Sequence, residues 1–195
     1  MSHNAHYFIY KPFGVLSQFS RPEPHHKTLA DYFNVPKDVY PVGRLDKDSE
    51  GLLLLTNDNR LNQRLLNPQH KLPKTYWVQV EGAPTDADLA PLRIGVTIKL
   101  KNGPYKTLPA QASVLHPRPE VPDRMPPVRY RKTVPDTWLE IILHEGKNRQ
   151  VRKMTAAIGF PTLRLIRMGL GNYRLPQLEP GWMERVEEEQ LMKLF

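Results

Sequence analysis

The sequence predicts an α+β fold, a mostly antiparallel mixed sheet with flanking helices. Three observations carry that expectation: two-residue alternation recurs along the chain, helical periodicity is confined to a few short stretches, and no internal repeat or regular strand–helix alternation is visible. A length of 195 residues suits one domain spanning the whole chain, with two lobes at most, and is enough to bury a real core.

Taken in order, Tyr7-Phe8-Ile9-Tyr10 is short, aromatic and followed by Lys11-Pro12-Phe13-Gly14, so it reads as a strand entering a turn. Residues 20 to 28 are polar and rich in Pro and His, as in a surface loop. Leu52-Leu53-Leu54-Leu55 predicts a buried strand, and Asn57 or Asp58 is placed to cap a helix that turns Leu61, Leu65 and Leu66 inward and stops before Pro68. Tyr76 to Val80 and Trp138 to Leu143 alternate as sheet strands do, with further strands expected near 96–100 and 111–115. The prolines between His116 and Pro135 argue for an extended excursion or mobile loop. A helix is expected from Lys147 or Asn148 to Ile158, ended by Gly159, with Val151, Met154, Thr155 and Ile158 inward and Arg149, Arg152 and Lys153 outward. Thr162 to Arg167 alternates again, which would carry the cationic surface from that helix onto the sheet.

Composition narrows the function. Lys and Arg number 28 against 20 Asp and Glu, a formal charge of +8 that favours a polyanionic partner. The absence of cysteine excludes disulfides, thiolate metal sites, iron–sulfur clusters and a cysteine nucleophile. The residues from Met1 to Tyr7 lack the pattern of a signal peptide and no apolar run approaches a membrane span, so a cytoplasmic protein is expected. Neither a glycine-rich dinucleotide fingerprint nor a phosphate-binding P-loop occurs, which points to chemistry without a nucleotide cofactor. His25 and His26 are adjacent, a poor geometry for one metal ion, and no metal site is expected.

Two segments could carry chemistry. Between His144 and Arg167 lie Lys147, Arg149, Arg152, Lys153, Arg164 and Arg167 with Glu145 as the only acid, a concentration that suits a groove following a phosphate backbone. The segment Val42-Gly43-Arg44-Leu45-Asp46 runs into Lys47-Asp48-Ser49-Glu50-Gly51, placing three carboxylates and a guanidinium before an apolar strand. A carboxylate beside an arginine stays ionised at neutral pH, as a nucleophile requires. Spacing alone leaves open whether Asp46 and Asp48 catalyse or brace the turn.

Together, the segments Lys11-Pro-Phe-Gly-Val-Leu-Ser, Pro41-Val-Gly-Arg-Leu-Asp-Lys-Asp-Ser-Glu-Gly, Lys74-Thr-Tyr and Glu145-Gly-Lys-Asn-Arg-Gln-Val-Arg-Lys-Met resemble the ordered motifs of the bacterial ribosomal RNA pseudouridine synthases, in the branch typified by RsuA. The resemblance runs from Tyr7 to about Leu175. It implies the catalytic fold of that family around a central RNA-binding cleft, and isomerisation of uridine to pseudouridine in ribosomal RNA, most closely 23S RNA, without a cofactor. Many members begin with a small RNA-binding domain of the S4 type, whereas here the first motif starts at Lys11, so no such domain is expected. Asp46 is then the catalytic aspartate, Arg152 the partner that keeps it charged and oriented, and Tyr76 a platform stacked on the uracil that assists loss of the C5 proton. Arg44 would enter the helix stack when the target base flips out. Lys11, Lys147, Arg149, Lys153, Arg164 and Arg167 would be RNA-binding cations, on a monomer reading structured RNA. Two competing readings are a non-catalytic RNA-binding or ribosome-assembly factor and a base-releasing hydrolase with Asp48 or Glu50 as its second acid.

Overall fold

The computed structural model describes residues 4–66, 72–129, 131, 133–192 and 194. In chain order the elements are β1 (His6–Lys11), β2 (Val15–Leu16), β3 (Lys27–Thr28), a 3-10 turn (Leu29–Asp31), β4 (Tyr40–Pro41), β5 (Glu50–Thr56), α1 (Asn59–Leu66), β6 (Lys74–Glu81), α2 (Asp86–Ile94), β7 (Thr97–Leu100), β8 (Gly103–Lys106), β9 (Gln111–Val114), β10 (Asp136–Leu143), α3 (Gln150–Ala157), β11 (Thr162–Leu170), β12 (Tyr173–Arg174), β13 (Met183–Val186) and α4 (Glu188–Met192). This is the expected α+β class, with mostly antiparallel strands and few, short helices. The chain divides into two compact units: residues 1–72 with 167–195, and residues 73–166.

In the first unit β1 pairs antiparallel with β5 on one side, from His6 opposite Thr56 to Lys11 opposite Gly51, and with β13 on the other. All seven residues of β5 are buried, so the leucine run is a strand covered on both faces, where each leucine contributes about 1.5–3 kcal/mol. At Gly51 φ is +103°, and an added Cβ would lie 2.4 Å from the Arg167 carbonyl oxygen, so only glycine lets β11 approach β5 there. Helix α1 is capped as its sequence predicts: the Asp58 carboxylate accepts from the amides of Arg60 at 2.8 Å and Leu61 at 3.2 Å. Leu61 is buried and Leu65 half-buried; the expected end at Pro68 lies outside the described residues. The 20–28 segment is mostly exposed, but its end forms β3, which pairs with β2.

In the second unit β10 pairs antiparallel with β6 along its whole length and with β9 on its other edge. Inward residues Val78, Val80, Leu139, Ile141 and Leu143 meet Leu89 and Leu92 of α2 and Val151 and Met154 of α3 in one apolar cluster. Helix α2 begins with a capping box in which Thr85 and Asp88 satisfy each other's amides, and its axis accommodates Pro91. Helix α3 starts at Gln150, two to three residues later than its sequence predicts, because Arg149 is held in the left-handed region at φ 51° and caps the helix.

One further expectation holds and another is corrected. The described part of 116–135 is irregular, as expected, yet it is tied down: Arg164 donates to the Pro122 carbonyl at 2.7 Å, Arg118 lies 2.9 Å from Asp136, and Arg131 lies 2.8 Å from Glu81. The alternation in Thr162–Arg167 does not put cations outside, because β11 is buried at every position from Arg164 to Leu170.

Candidate functional site

Asp46 stands on the loop between β4 and β5, half-buried, with Arg44 exposed two residues before it. The loop is fixed by its own backbone and by the turn after β1. The Ser49 amide donates to the Asp46 carbonyl at 3.0 Å, and the Gly14 amide donates to the Lys47 carbonyl at 2.8 Å. The Ser17 hydroxyl accepts from the Leu45 amide at 3.0 Å and donates to the Leu45 carbonyl at 2.8 Å. Glu50, buried, accepts from the Tyr10 hydroxyl at 3.0 Å. Of the three acids in this stretch, Asp46 and Asp48 keep partial access to solvent.

Lys11 sits under this loop. It is 0% exposed, and its ammonium donates to the carbonyls of Pro12 and Val15, each at 2.8 Å. Burial pushes its pKa down to about 7, against the opposing pull of Glu50, Asp48 and Asp46. Two carbonyl acceptors suit either protonation state, since a neutral amine still has two N–H groups to donate. Lys11 is therefore placed as an internal brace and not on an RNA-facing surface. Arg167, 6% exposed, donates from Nε to the Leu52 carbonyl at 2.7 Å, and Arg164, 5% exposed, is engaged on Pro122. The expected RNA contacts of these three cations are corrected accordingly: their head groups satisfy buried backbone carbonyls, which would otherwise be costly to leave unpaired.

The remaining cations of the basic segment do lie at the surface of the second unit. Lys147 and Arg149 are exposed, and Lys153 is half-buried with its ammonium 3.4 Å from the Asn148 side chain. Lys147 also covers the Tyr105 ring, its nitrogen 4.9 Å from the centroid. Arg152 is half-buried, one guanidinium nitrogen 3.5 Å from the Thr162 carbonyl. Tyr76 is half-buried on β6 opposite Ile141 and packs against the apolar cluster of this unit.

Glu145 organises the approach to α3, a role its sequence position alone does not disclose. Its carboxylate accepts from the Tyr105 hydroxyl at 2.6 Å, the Leu108 amide at 2.8 Å and the Gln150 side chain at 2.6 Å. Gln150 in turn accepts from the Lys147 amide at 2.8 Å. The Tyr105 pKa is raised, first by its hydrogen bond to Glu145. Glu145 and Gln150 both fall inside the Glu145-Gly-Lys-Asn-Arg-Gln-Val-Arg segment, the one sequence signal for this network.

Glu23, His25 and His26 bring potential ligand atoms within 4.8 Å of one another, closer than adjacent histidines suggest, but on a largely exposed loop. No helix among the described residues is long and apolar enough to cross a membrane.

The RNA pseudouridylate synthase family profile matches residues 5–157. Ribosomal large subunit pseudouridine synthase E of Xanthomonas axonopodis pv. citri is 60% identical over 171 residues, covering 87% of each chain. The Vibrio vulnificus protein of the same name is 57% identical over 175 residues, 89% of this chain and 72% of that one. A solved pseudouridylate synthase structure superposes with a TM-score of 0.79 at 25% identity, covering all of this chain and 75% of the other.

Proposed function

The chain belongs to the RNA pseudouridylate synthase family, and from that premise we propose that it isomerises a uridine of 23S ribosomal RNA to pseudouridine with Asp46 as its catalytic carboxylate. The observation that carries the ribosomal substrate is the identity of 57–60%, over nearly nine-tenths of this chain, to proteins named for the large subunit. The reaction breaks the uracil N1–C1′ bond, turns the base, joins C5 to C1′, releases the C5 proton and takes up a proton at N1, so atoms balance without a redox carrier or group donor.

In this reading Asp46 attacks the sugar or base, or removes a ribose proton. Arg152 keeps it charged, and Tyr76 stacks on the uracil and assists proton loss at C5. Stacking is its principal role. Arg44, exposed beside Asp46, fills the helix stack when the uridine flips out, offsetting part of an extrusion cost of a few kcal/mol. Lys147, Arg149 and Lys153 bind phosphates. The whole chain acts as one catalytic domain, a monomer in the cytoplasm, where ribosomal RNA is made and assembled.

The test is incubation with ribosomal RNA tritiated at uridine C5, followed by measurement of tritium release and identification of the nucleoside after digestion. Pseudouridine is expected, free uracil would indicate a hydrolase, and no product would leave an assembly factor. Asp46→Asn should abolish product, by a factor of about 10⁴ or more, while RNA affinity stays near that of the unaltered chain. Turnover retained by that variant would remove Asp46 from the chemistry.

A further inference from the structure

We propose that Ser17 is a positioning residue that sets the backbone from which Asp46 is presented, an inference that rests on the reading of Asp46 as the catalytic carboxylate. The residues on both sides of Asp46 are anchored to one turn. Leu45 is held through its amide and its carbonyl by a single hydroxyl, that of Ser17, and Lys47 through its carbonyl by the Gly14 amide. The Asp46 carbonyl accepts from the Ser49 amide, one turn forward along the loop.

The anchoring turn is stiff. The Lys11 ammonium bridges the carbonyls of Pro12 and Val15 within it, β2 pairs with β3 immediately beyond it, and the Leu29 amide donates to the Gln18 carbonyl at 2.9 Å. Ser17 thus transmits the position of a braced turn to the residue preceding the carboxylate. A hydroxyl can donate and accept at once, which alanine cannot do and threonine can. Leu45 is buried, so without Ser17 both of its backbone polar groups lose their partner and the loop must shift to reach water. Misplacement of a reacting group by 1 Å costs about 100-fold in rate, whereas binding of the RNA phosphates is insensitive to it.

Ser17→Ala and Ser17→Thr in the full chain, assayed for tritium release well below their thermal midpoints, test the role. Ser17→Ala should lower kcat about 10- to 100-fold with KM for RNA within about 2-fold, and Ser17→Thr should recover kcat to within about 3-fold. A wild-type kcat in Ser17→Ala, equal impairment of both variants, or a Ser17→Ala chain whose rate follows its folded fraction would overturn the positioning role. Asp46→Asn run alongside separates the two claims. If it is inactive while Ser17→Ala is unimpaired, only the role of Ser17 falls; if it turns over, the reading of Asp46 falls and the role of Ser17 with it.

Discussion

Replacing Lys11 with methionine should change how stability depends on pH, and by an amount that the burial of its ammonium sets. In the folded protein its pKa is about 7, and its ordinary value is 10.5. Between those two pH values the unfolded chain still holds the proton that the folded protein has released. Stability therefore rises with pH from about 7 to 10.5, and the full cost of the buried charge is present below 7. With each pH unit worth ~1.4 kcal/mol, the gap corresponds to a swing on the order of 5 kcal/mol, a large part of the 5–15 kcal/mol typical of a folded domain. Lys11→Met removes the titrating group but strips the Pro12 and Val15 carbonyls of their donor, at about 1–3 kcal/mol each. At pH 10 the variant should be less stable by about 2–6 kcal/mol; at pH 6 that loss is largely or wholly offset by removal of the buried charge. Urea unfolding followed by tryptophan fluorescence at pH 6, 8 and 10 measures the difference, in which titrations common to both chains cancel. The difference should grow by about 4 kcal/mol from pH 6 to pH 10. A difference constant across that range would refute the argument.

Arg152→Ala should lower kcat by about 10²–10⁴ while RNA affinity falls far less, as expected if its guanidinium orients Asp46; an unchanged kcat would break the pairing. Gly51→Ala should cost about 2–6 kcal/mol, combining positive-φ strain with a Cβ 2.4 Å from the Arg167 carbonyl, and lower the melting temperature by roughly 5–20 °C. Gly14→Ala, where φ is +79° and nothing lies within 4 Å, should cost only about 1–2 kcal/mol in the same thermal scan, and equal losses at the two positions would discount the clash. Arg149→Ala should weaken RNA binding and reduce the slope of log affinity against log salt by about 1 while turnover of bound RNA persists; an unchanged slope would take it off the phosphate backbone.

Local pattern made the sheet strands legible, because β1, β5, β6 and β10 are short apolar or alternating runs between turns. Helix α2 was hidden by Pro91, which reads as a breaker, although Thr85 and Asp88 spell a capping box one turn earlier. The C-terminal β13 and α4 carry too many charges to announce themselves: β13 includes Glu184 and Arg185 and pairs with β1 far away in sequence. Asp46 was recognisable only through its motif, since charge and spacing left a turn brace equally open. The cations misled for a different reason. A sequence gives each Lys or Arg its charge but not its acceptor, and the carbonyls that hold Arg164 and Arg167 inside lie 42 and 115 residues away. Ser17 and Leu45, 28 residues apart, escape reading for the same reason.

Because the first unit is assembled from residues 1–72 and 167–195, with the whole of the second unit lying between them, the two cannot be completed in the order in which they begin. At about 5–20 residues per second on the ribosome, roughly 5–20 s of synthesis separate β5 from the first residue that can rejoin it. During that interval β1 has β5 on one edge, while the edge that β13 will occupy stays open, an exposed strand template of the kind that recruits other chains. The second unit, one uninterrupted stretch, has all its strands as soon as β11 emerges. Slowing translation between residues 72 and 186 therefore prolongs the vulnerable state of β1, and closure of that edge waits until Met183 to Val186 have been made.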